Sequence, residues 1–184
     1  VEVWINTDSD GEGSVGMIVS KLSNYIATVG ESGGSMKLRF KQFFDGDDGA
    51  WETTDLVITN GKWHHVVVSY NSDAVGNNPI IYVDGKVVAI TETLTPTGTR
   101  DSDAANDIIV GNYHDDSLTF DGRIAMVRVF DDVRSQSEIR ADMFNPFADM
   151  DDATNLVAMY QFDEGTSTTV DNVEGTAALD GTMS

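Results

Sequence analysis

The feature that most constrains this chain is the recurrence of short strand patterns separated by turn-forming residues. In each pattern, β-branched and aromatic residues run together or alternate with polar ones, as they do in β-strands. Gly, Asp, Asn and Ser cluster between the patterns, and these residues accept the backbone angles that turns require. Many short strands with little helix predict an all-β fold, an antiparallel β-sandwich or a barrel. The patterns lie at Val1–Ile5, Val15–Ser20, Tyr25–Val29, Met36–Phe44, Trp51–Ile58, Trp63–Tyr70, Pro79–Val83, Lys86–Thr91, Asp107–Val110, Gly122–Phe130 and Leu156–Phe162.

Two of these segments make specific predictions about strand environment and pairing. Met36–Lys41 alternates apolar residues with basic ones, which predicts a strand with one buried face and one wet face. Asp84-Gly85 lies between two strand patterns and is a residue pair that the type I′ hairpin turn favours. We therefore expect a tight antiparallel hairpin at this point of the chain.

One segment has a helical pattern. Ser135-Gln136-Ser137-Glu138 is a capping box, in which the serine and glutamate side chains bond to each other's backbone amides. Ile139 and Met143 follow at helical spacing and form an apolar stripe. We expect one short helix near residues 135–144, with its stripe packed against one end of the sandwich.

Charge and composition exclude several classes of partner and site. The sequence has 31 Asp and Glu against 11 Lys and Arg, a net charge of -20, whereas a nucleic-acid site needs clustered cations. Cysteine is absent, so neither a disulfide nor a thiolate site can form. No apolar run reaches the roughly 18 residues that a membrane-spanning helix needs. We expect no nucleic-acid partner and no membrane insertion.

The length of 184 residues suits a single domain with a two-layer core, and we expect residues 1–184 to form one. Val1 opens directly into a strand pattern and is not an initiator methionine. The domain is therefore expected to be a piece excised or processed from a longer protein, with any secretion signal outside this chain. The acidic stretch 145–155 is the one candidate boundary, and it is too short to separate two domains.

Five motifs in a particular order point to a known family. This order resembles the laminin-G-like jelly-roll domains of the concanavalin-A-like lectin and glucanase superfamily, and the resemblance spans nearly the whole chain. It implies an antiparallel jelly-roll sandwich, a fold that hosts lectins, adhesins, polysaccharide-binding modules and some glycosidases. The motifs are Trp63-His64-His65, Ile81-Tyr82-Val83-Asp84-Gly85-Lys86, Ile109-Val110-Gly111, Phe120–Phe130 and Ser137-Glu138-Ile139.

The chain departs from the family pattern at two places. Relatives often carry an Asp-Glu pair where this sequence has Ala125 and Met126, so any role of those carboxylates is lost here. The segment Leu156–Gly165 resembles one that commonly opens a family unit, yet here it lies near the C-terminus. It either closes this sandwich beside the first strand or begins a following domain. We favour the first, because its apolar alternation needs a partner sheet.

The sequence offers no catalytic constellation. Glycoside hydrolysis needs two carboxylates that flank one bond, and the glucanases of this superfamily carry them as Glu-x-Asp-x-Glu, a motif this chain lacks. Glu92 and Glu164 have no spaced acidic partner on the same strand face. His64 and His65 are adjacent on a strand and point to opposite faces, so they cannot form a two-histidine metal face. We expect a protein that is not an enzyme.

Calcium is the cofactor that the sequence favours. Calcium takes carboxylate and carbonyl oxygens from flexible loops, and in the laminin-G-like family it commonly lies at the rim of the sandwich. Solvated turns are the alternative interpretation of every acidic cluster, and Asp8–Glu12 ranks below the other two clusters. The predicted ligands are Asp45, Asp47, Asp48, Asp115, Asp116 and Asp121.

Three side chains are candidates for contact with a sugar. Trp51 follows an acidic turn, and Tyr113 and His114 lie in a loop after a strand, where partly exposed side chains can contact a ligand. The alternative, slightly favoured for Trp51, is that the aromatic rings cap the ends of the core, and the default for His114 is a solvated loop residue. Trp4 and Trp63 belong to strand motifs and are expected in the core. The basic row Lys37, Arg39 and Lys41 is a wet strand face by default, with a role against an acidic polysaccharide as the alternative.

These observations predict a non-catalytic carbohydrate-binding or adhesion module in an extracellular or surface-displayed protein, with calcium ordering one rim. Its partner is then a glycan or a cell-surface polysaccharide. The alternative is a structural or protein-interaction module of a larger surface or virion protein. A polysaccharide hydrolase is a third interpretation, which the missing carboxylate motif disfavours.

Overall fold

Two antiparallel sheets enclose the main hydrophobic core in the computed structural model, which describes residues 1–22, 24–102, 104–145, 155–166, 168–173 and 180–182. The predicted all-β jelly-roll sandwich with one short helix is confirmed. Among the described residues, no helix is both long and apolar enough to span a membrane.

Within the described ranges, one sheet has six strands. Its spatial order is β13 (Leu156–Tyr160), β12 (Gly122–Phe130), β1 (Glu2–Thr7), β7 (Trp63–Ser69), β8 (Ile80–Val83) and β9 (Lys86–Val87).

The described residues place seven strands in the other sheet. Its order is β10 (Ile90–Leu94), β5 (Gly49–Thr53), β4 (Ser35–Gln42), β3 (Asn24–Glu31), β2 (Val15–Lys21) and β11 (Ile108–Val110), with β6 (Ile58–Thr59) also paired to β4. A short 3₁₀ turn, Glu12–Ser14, precedes β2, and β14 (Thr169–Val170) pairs with β15 (Gly181–Thr182) outside both sheets.

Strand alternation decides which side chains enter the core. In β4, Met36, Leu38 and Phe40 are buried while Lys37, Arg39 and Lys41 remain partly exposed, which confirms the predicted wet face. Facing residues from the other sheet, such as Ile5 and Val66, belong to the same buried cluster. The two sheets are therefore joined by apolar packing of their inner faces.

The Asp84-Gly85 turn holds the two histidines of β7 in place. The hairpin between β8 and β9 forms as predicted, with Asp84 at φ 52° and Gly85 at φ 69°. The Asp84 carboxylate accepts from the His65 backbone N–H at 3.0 Å and lies 3.0 Å from His64 Nδ1. His64 Nε2 accepts from the Thr59 N–H at 3.1 Å. These contacts join the start of β7 to the hairpin and to β6, so the motif residues stabilise the fold.

The helix α1 (Gln136–Phe144) begins at the predicted capping box, with Ser135 as N-cap. Its Ile139 packs with Val67 and Tyr82, so the helix covers part of the outer face of the six-stranded sheet. Arg128 of β12 is fully buried and donates to the carbonyls of Asp142 and Asn145 at the C-terminal end of α1. A cation at this end of a helix satisfies carbonyls that have no partner within it.

Two predicted strand runs are wrong in their extent. Trp51–Ile58 divides into β5 and β6, which both pair with β4. Lys86–Thr91 divides into β9 in the six-stranded sheet and β10 in the seven-stranded sheet, so the chain crosses between the layers here. Local alternation cannot show such a crossing, because both pieces retain strand-like composition.

The C-terminal segment joins this sandwich, although with a different neighbour from the expected one. β13 pairs antiparallel with β12, not with the first strand. Both edges of β1 are already occupied, one by β12 and the other by β7. The free edge of β12 is therefore where a further strand adds to this sheet.

Candidate functional site

The outer face of the seven-stranded sheet brings two of the predicted sugar-contact residues together with a third. The Tyr113 ring lies edge-on to the Tyr25 ring, with 6.3 Å between centroids, and 4.3 Å from the His114 ring. Tyr113 and Tyr25 are partly exposed and His114 is exposed. Sequence reasoning missed Tyr25, because its place opposite Lys41 follows from the pairing of β3 with β4, which local alternation does not show.

Two rows of side chains run across the sheet beside these rings. One row pairs Ser20, Tyr25, Lys41, Ala50 and Leu94 from strand to strand. The next pairs Met17, Ala27, Arg39, Glu52 and Thr91 in the same way. Because the alanines project little, the larger neighbours rise above them as walls.

The result is a shallow groove with a volume of about 290 Å³. Ala50 forms its floor, and the aromatic group of Tyr25, Tyr113 and His114 extends from one side. The groove is lined by Tyr25, Arg39, Lys41, Ala50, Glu52, Thr93 and Leu94.

Each of the two cations in the groove is paired with a carboxylate. Arg39 Nε donates to Glu52 Oε1 at 2.8 Å, and Lys41 Nζ lies 2.9 Å from Asp48 Oδ2. Partial burial disfavours the charged guanidinium, but the hydrogen bond and charge of Glu52 outweigh it and raise the pKa of Arg39. The pairs hold these side chains in defined positions and leave the groove close to electrically neutral.

Tyr113 presents a hydroxyl that stays protonated at neutral pH. Burial, followed by the neighbouring Tyr25, raises the pKa of Tyr113 above its ordinary value. The phenol can therefore both donate and accept a hydrogen bond beside an apolar ring face.

Trp51 does not reach this surface, so it is not a sugar contact there, and the interpretation that its ring packs in the core is confirmed. Its side chain is 0% exposed, stacks on Phe40 with 5.9 Å between ring centroids, and donates its indole N–H to Asn78 Oδ1 at 2.8 Å. Cross-strand pairing with Phe40 turns it inward. The prediction for Trp63 is wrong, since its side chain is 45% exposed where the core was expected.

The carboxylates of the first predicted calcium cluster bond to a neighbouring loop and to the sheet. Asp45 Oδ1 accepts from the Thr99 N–H at 2.7 Å, and Asp47 Oδ2 accepts from Thr97 Oγ1 at 3.1 Å. Asp48 pairs with Lys41 at the edge of the groove. The cluster therefore fastens the 97–99 loop to the turn between β4 and β5.

The second predicted calcium cluster is spread over two turns. Asp115 accepts from the Ser117 hydroxyl and backbone N–H, and the hydroxyl bond in particular lowers the pKa of Asp115. Asp121 accepts from Ser9 Oγ at 2.6 Å, while Asp116 occupies a turn position at φ 59°. Within the ranges described above, no three His, Asp or Glu side chains lie close enough to hold one metal ion. Calcium binding stays a prediction that needs carbonyl or water ligands.

Comparison with known proteins decides the family. Residues 1–140 match the Laminin_G_3 family model, described as the concanavalin A-like lectin/glucanases superfamily. The chain belongs to this family. A 94-residue segment is also 31% identical to Pentraxin-related protein PTX3 of Mus musculus, and this match spans 47% of the chain and 24% of that protein's length.

In this laminin-G-like domain, one of the two residues at which the sequence departs from the family pattern is the apolar Met126. Met126 is fully buried and packs with Leu156 and Met159 of β13. Its neighbour Ala125 is only partly buried. Side chains of β13 thus pack against Met126, and a methionine suits this dry contact.

Proposed function

We propose that this laminin-G-like domain is a non-catalytic carbohydrate-binding module of an extracellular or surface-displayed protein, with the groove on the seven-stranded sheet as its glycan site. The observation that carries the proposal is the group of Tyr25, Tyr113 and His114 rings beside a groove with an alanine floor. Sugars present apolar C–H faces and rows of hydroxyls. An aromatic surface next to fixed polar groups complements both.

The charge pairs of the groove support a ligand rich in hydroxyls. Arg39 and Lys41 supply donors, while Glu52 and Asp48 supply acceptors, and the ion pairs hold all four in place. A hydroxyl both donates and accepts, so it can bond to either member of a pair. A strongly anionic ligand would instead have to displace Glu52 or Asp48.

We infer a non-catalytic site because both carboxylates at the groove are held in ion pairs. Glycoside hydrolysis requires two carboxyl groups roughly 5–10 Å apart across the bond, one of them able to donate a proton. Glu52 is bonded to Arg39 and Asp48 to Lys41, so both stay charged acceptors.

Calcium is a separate and secondary part of the proposal. Asp48 contacts Lys41 of the groove, and Asp45 and Asp47 belong to the same turn, while Asp115 and Asp116 directly follow His114 of the aromatic group. Calcium bound at either turn would hold the groove rim in one conformation. Its ligands would have to include backbone carbonyls or water in addition to these carboxylates.

Glycan-array binding tests the proposed site with three variants. Tyr113→Ala and Tyr25→Ala are expected to weaken binding about tenfold or more, the effect of losing roughly 1.4 kcal/mol at an aromatic anchor. Trp63→Ala is the matched control, because it removes an exposed aromatic side chain from the other sheet. Equal loss in all three variants would contradict a site in the groove. A negative array together with stable oligomers in solution would favour the protein-interaction alternative.

A further inference from the structure

A second cavity lies between the two sheets at one end of the sandwich. Its volume is about 170 Å³, and its walls come from both layers. The seven-stranded sheet contributes Phe40 and Gln42 of β4, while the other wall includes Ser69, Tyr70, Asp132 and Arg134. We call it the end cleft.

The end cleft and the groove lie on opposite faces of β4, because successive side chains of a strand point to opposite faces. Phe40 and Gln42 point toward the inside of the sandwich, whereas Arg39 and Lys41 on the same strand point to the outer face. The two cavities therefore lie on opposite sides of one sheet. A ligand in one does not touch the lining residues of the other.

Unpaired polar atoms are concentrated in the wall of the end cleft. In the part of the chain that the structure describes, Ser69 Oγ, Tyr70 OH, Asp132 Oδ1 and Arg134 Nε are shielded from bulk water and have no hydrogen-bond partner. Ser69 is 5% exposed. Buried polar groups are almost always hydrogen-bonded, because leaving one unpaired costs about 1–3 kcal/mol. Four such atoms around one cavity indicate that its occupant supplies the missing bonds.

The unpaired atoms define the chemistry of that occupant. The Ser69 and Tyr70 hydroxyls can donate and accept, the Asp132 carboxylate accepts, and the Arg134 Nε–H donates. Arg134 Nη1 lies 3.7 Å from Asp132 Oδ2, and its Nη2 donates to Asp142 Oδ2 at 2.8 Å, so carboxylates offset its charge. Arg100 also lines the cleft. Burial raises the pKa of Tyr70, which keeps its phenol protonated. A neutral molecule with several hydroxyls satisfies all four atoms, whereas a simple anion or cation satisfies only some of them.

The volume of the end cleft limits the size of its ligand. A protein cavity of about 150 Å³ accepts one benzene molecule, so the end cleft has room for a single six-membered ring. Phe40 and Tyr70, whose rings lie 5.4 Å apart, provide apolar surface on one side. We propose that the end cleft is a second ligand site, distinct from the groove, for one pyranose ring or a cyclic polyol of that size.

Amide-resolved NMR titration with methyl α-glucopyranoside and myo-inositol tests this site. We expect saturable shifts at Ser69, Tyr70 and Asp132. Tyr70→Phe and Ser69→Ala should weaken binding about three- to tenfold, the effect of losing one hydrogen bond. Because the deleted hydroxyls have no protein partner, both variants should unfold at or above the wild-type temperature. Reduced affinity then reports on the ligand and not on the fold.

The control variant is Tyr25→Phe, which removes the same hydroxyl from the groove and should leave the titration of the end cleft unchanged. Tetrahydropyran, which has the ring without the hydroxyls, should not bind. Three outcomes would overturn the proposal: no saturable shift because the cleft holds water alone, equal binding of tetrahydropyran, or shifts confined to Tyr25 and Tyr113. In the last case the groove would still be a glycan site, so the two proposals fail separately.

Discussion

At the scale of single residues, Asp84 explains why the histidine motif and the hairpin motif occur together. Its side chain bonds to His64 and to the backbone of His65, while its own backbone takes a left-handed conformation in the turn. Asp and Asn adopt that conformation more readily than other residues with side chains. Asp84 thus adopts the backbone conformation that the turn requires and also bonds to two groups at the start of β7.

Asp84→Ala should lower the free energy of unfolding by about 1–3 kcal/mol, since it leaves His64 and the His65 N–H without their partner. Asp84→Asn retains an acceptor oxygen and the turn preference, so its loss should be smaller. Urea unfolding at neutral pH measures both variants. Equal losses would contradict this expectation and would mean that the charge and second oxygen of the carboxylate, which both variants remove, provide the stabilisation.

At the scale of elements, α1 covers part of the outer face of the six-stranded sheet, and β13 extends the edge of the same sheet. The capping box at Ser135 defines the start of α1, and Arg128 satisfies carbonyls at its other end. β13 adds to the edge of β12, and its Leu156 and Met159 pack with Met126. Both elements therefore depend on local contacts that a single substitution can remove.

The capping box should make the contribution of α1 depend on pH. Hydrogen bonds from the Ser135 hydroxyl, and then from its backbone N–H, lower the pKa of Glu138 below its ordinary value of 4.5. A lowered pKa stabilises the fold above the unfolded-state value, and this stabilisation is lost as pH falls through the lower folded-state value. Ser135→Ala should cost about 1 kcal/mol at neutral pH and less near pH 3. Urea unfolding at both pH values measures the difference, and Ser135→Thr should restore the wild-type behaviour. A cost independent of pH would show that Glu138 does not contribute.

Substitutions at Met126 and Ala125 test the burial under β13. Met126→Glu places a carboxylate in a dry contact and should cost at least about 3 kcal/mol or prevent folding. Ala125→Asp puts the other family carboxylate on a partly exposed neighbour and should cost less than about 1 kcal/mol. Thermal and urea unfolding compare them, with Met126→Leu as the volume-matched control. A loss below about 1 kcal/mol in the free energy of unfolding for Met126→Glu would mean that β13 does not pack against this position in solution.

At the scale of the whole molecule, the net charge of -20 makes the stability of the fold depend on ionic strength. Self-repulsion of this size weakens the compact state, and any added salt screens it. The three basic residues on the outer face of β4 stand against this overall field, and two of them are neutralised by Glu52 and Asp48. The groove is therefore close to electrically neutral, although the molecule as a whole is strongly negative.

The calcium proposal predicts that millimolar calcium raises the melting temperature and that a chelator reverses the rise, because a ligand of the folded state stabilises it. Magnesium at matched ionic strength is the control for screening. Asp115→Asn and Asp45→Asn then distinguish the two acidic turns, since only the turn that binds should lose the response. Equal rises in melting temperature with calcium and magnesium would mean that both ions only screen the net charge, which would contradict a calcium site.

Local pattern was sufficient for the fold class, the position of α1 and the wet face of β4. Each of these depends on periodicity or capping within a few residues, and neighbouring residues carry that information. The same reasoning singled out Tyr113 and His114, whose contact with a sugar stays a prediction, and it placed Trp63 wrongly. The direction in which Trp51 points follows from its pairing with Phe40, and strand pairing is set by contacts distant in sequence.

Only the tertiary structure decided which residues meet. Tyr25 and Tyr113 come from separate parts of the chain and lie together because β3 and the loop after β11 share one face of a sheet. The groove floor and the end cleft likewise depend on cross-strand register and on how closely the two layers approach. The recurrence of short strand patterns predicts a sandwich, whereas the pairing order of the strands determines where that sandwich is open.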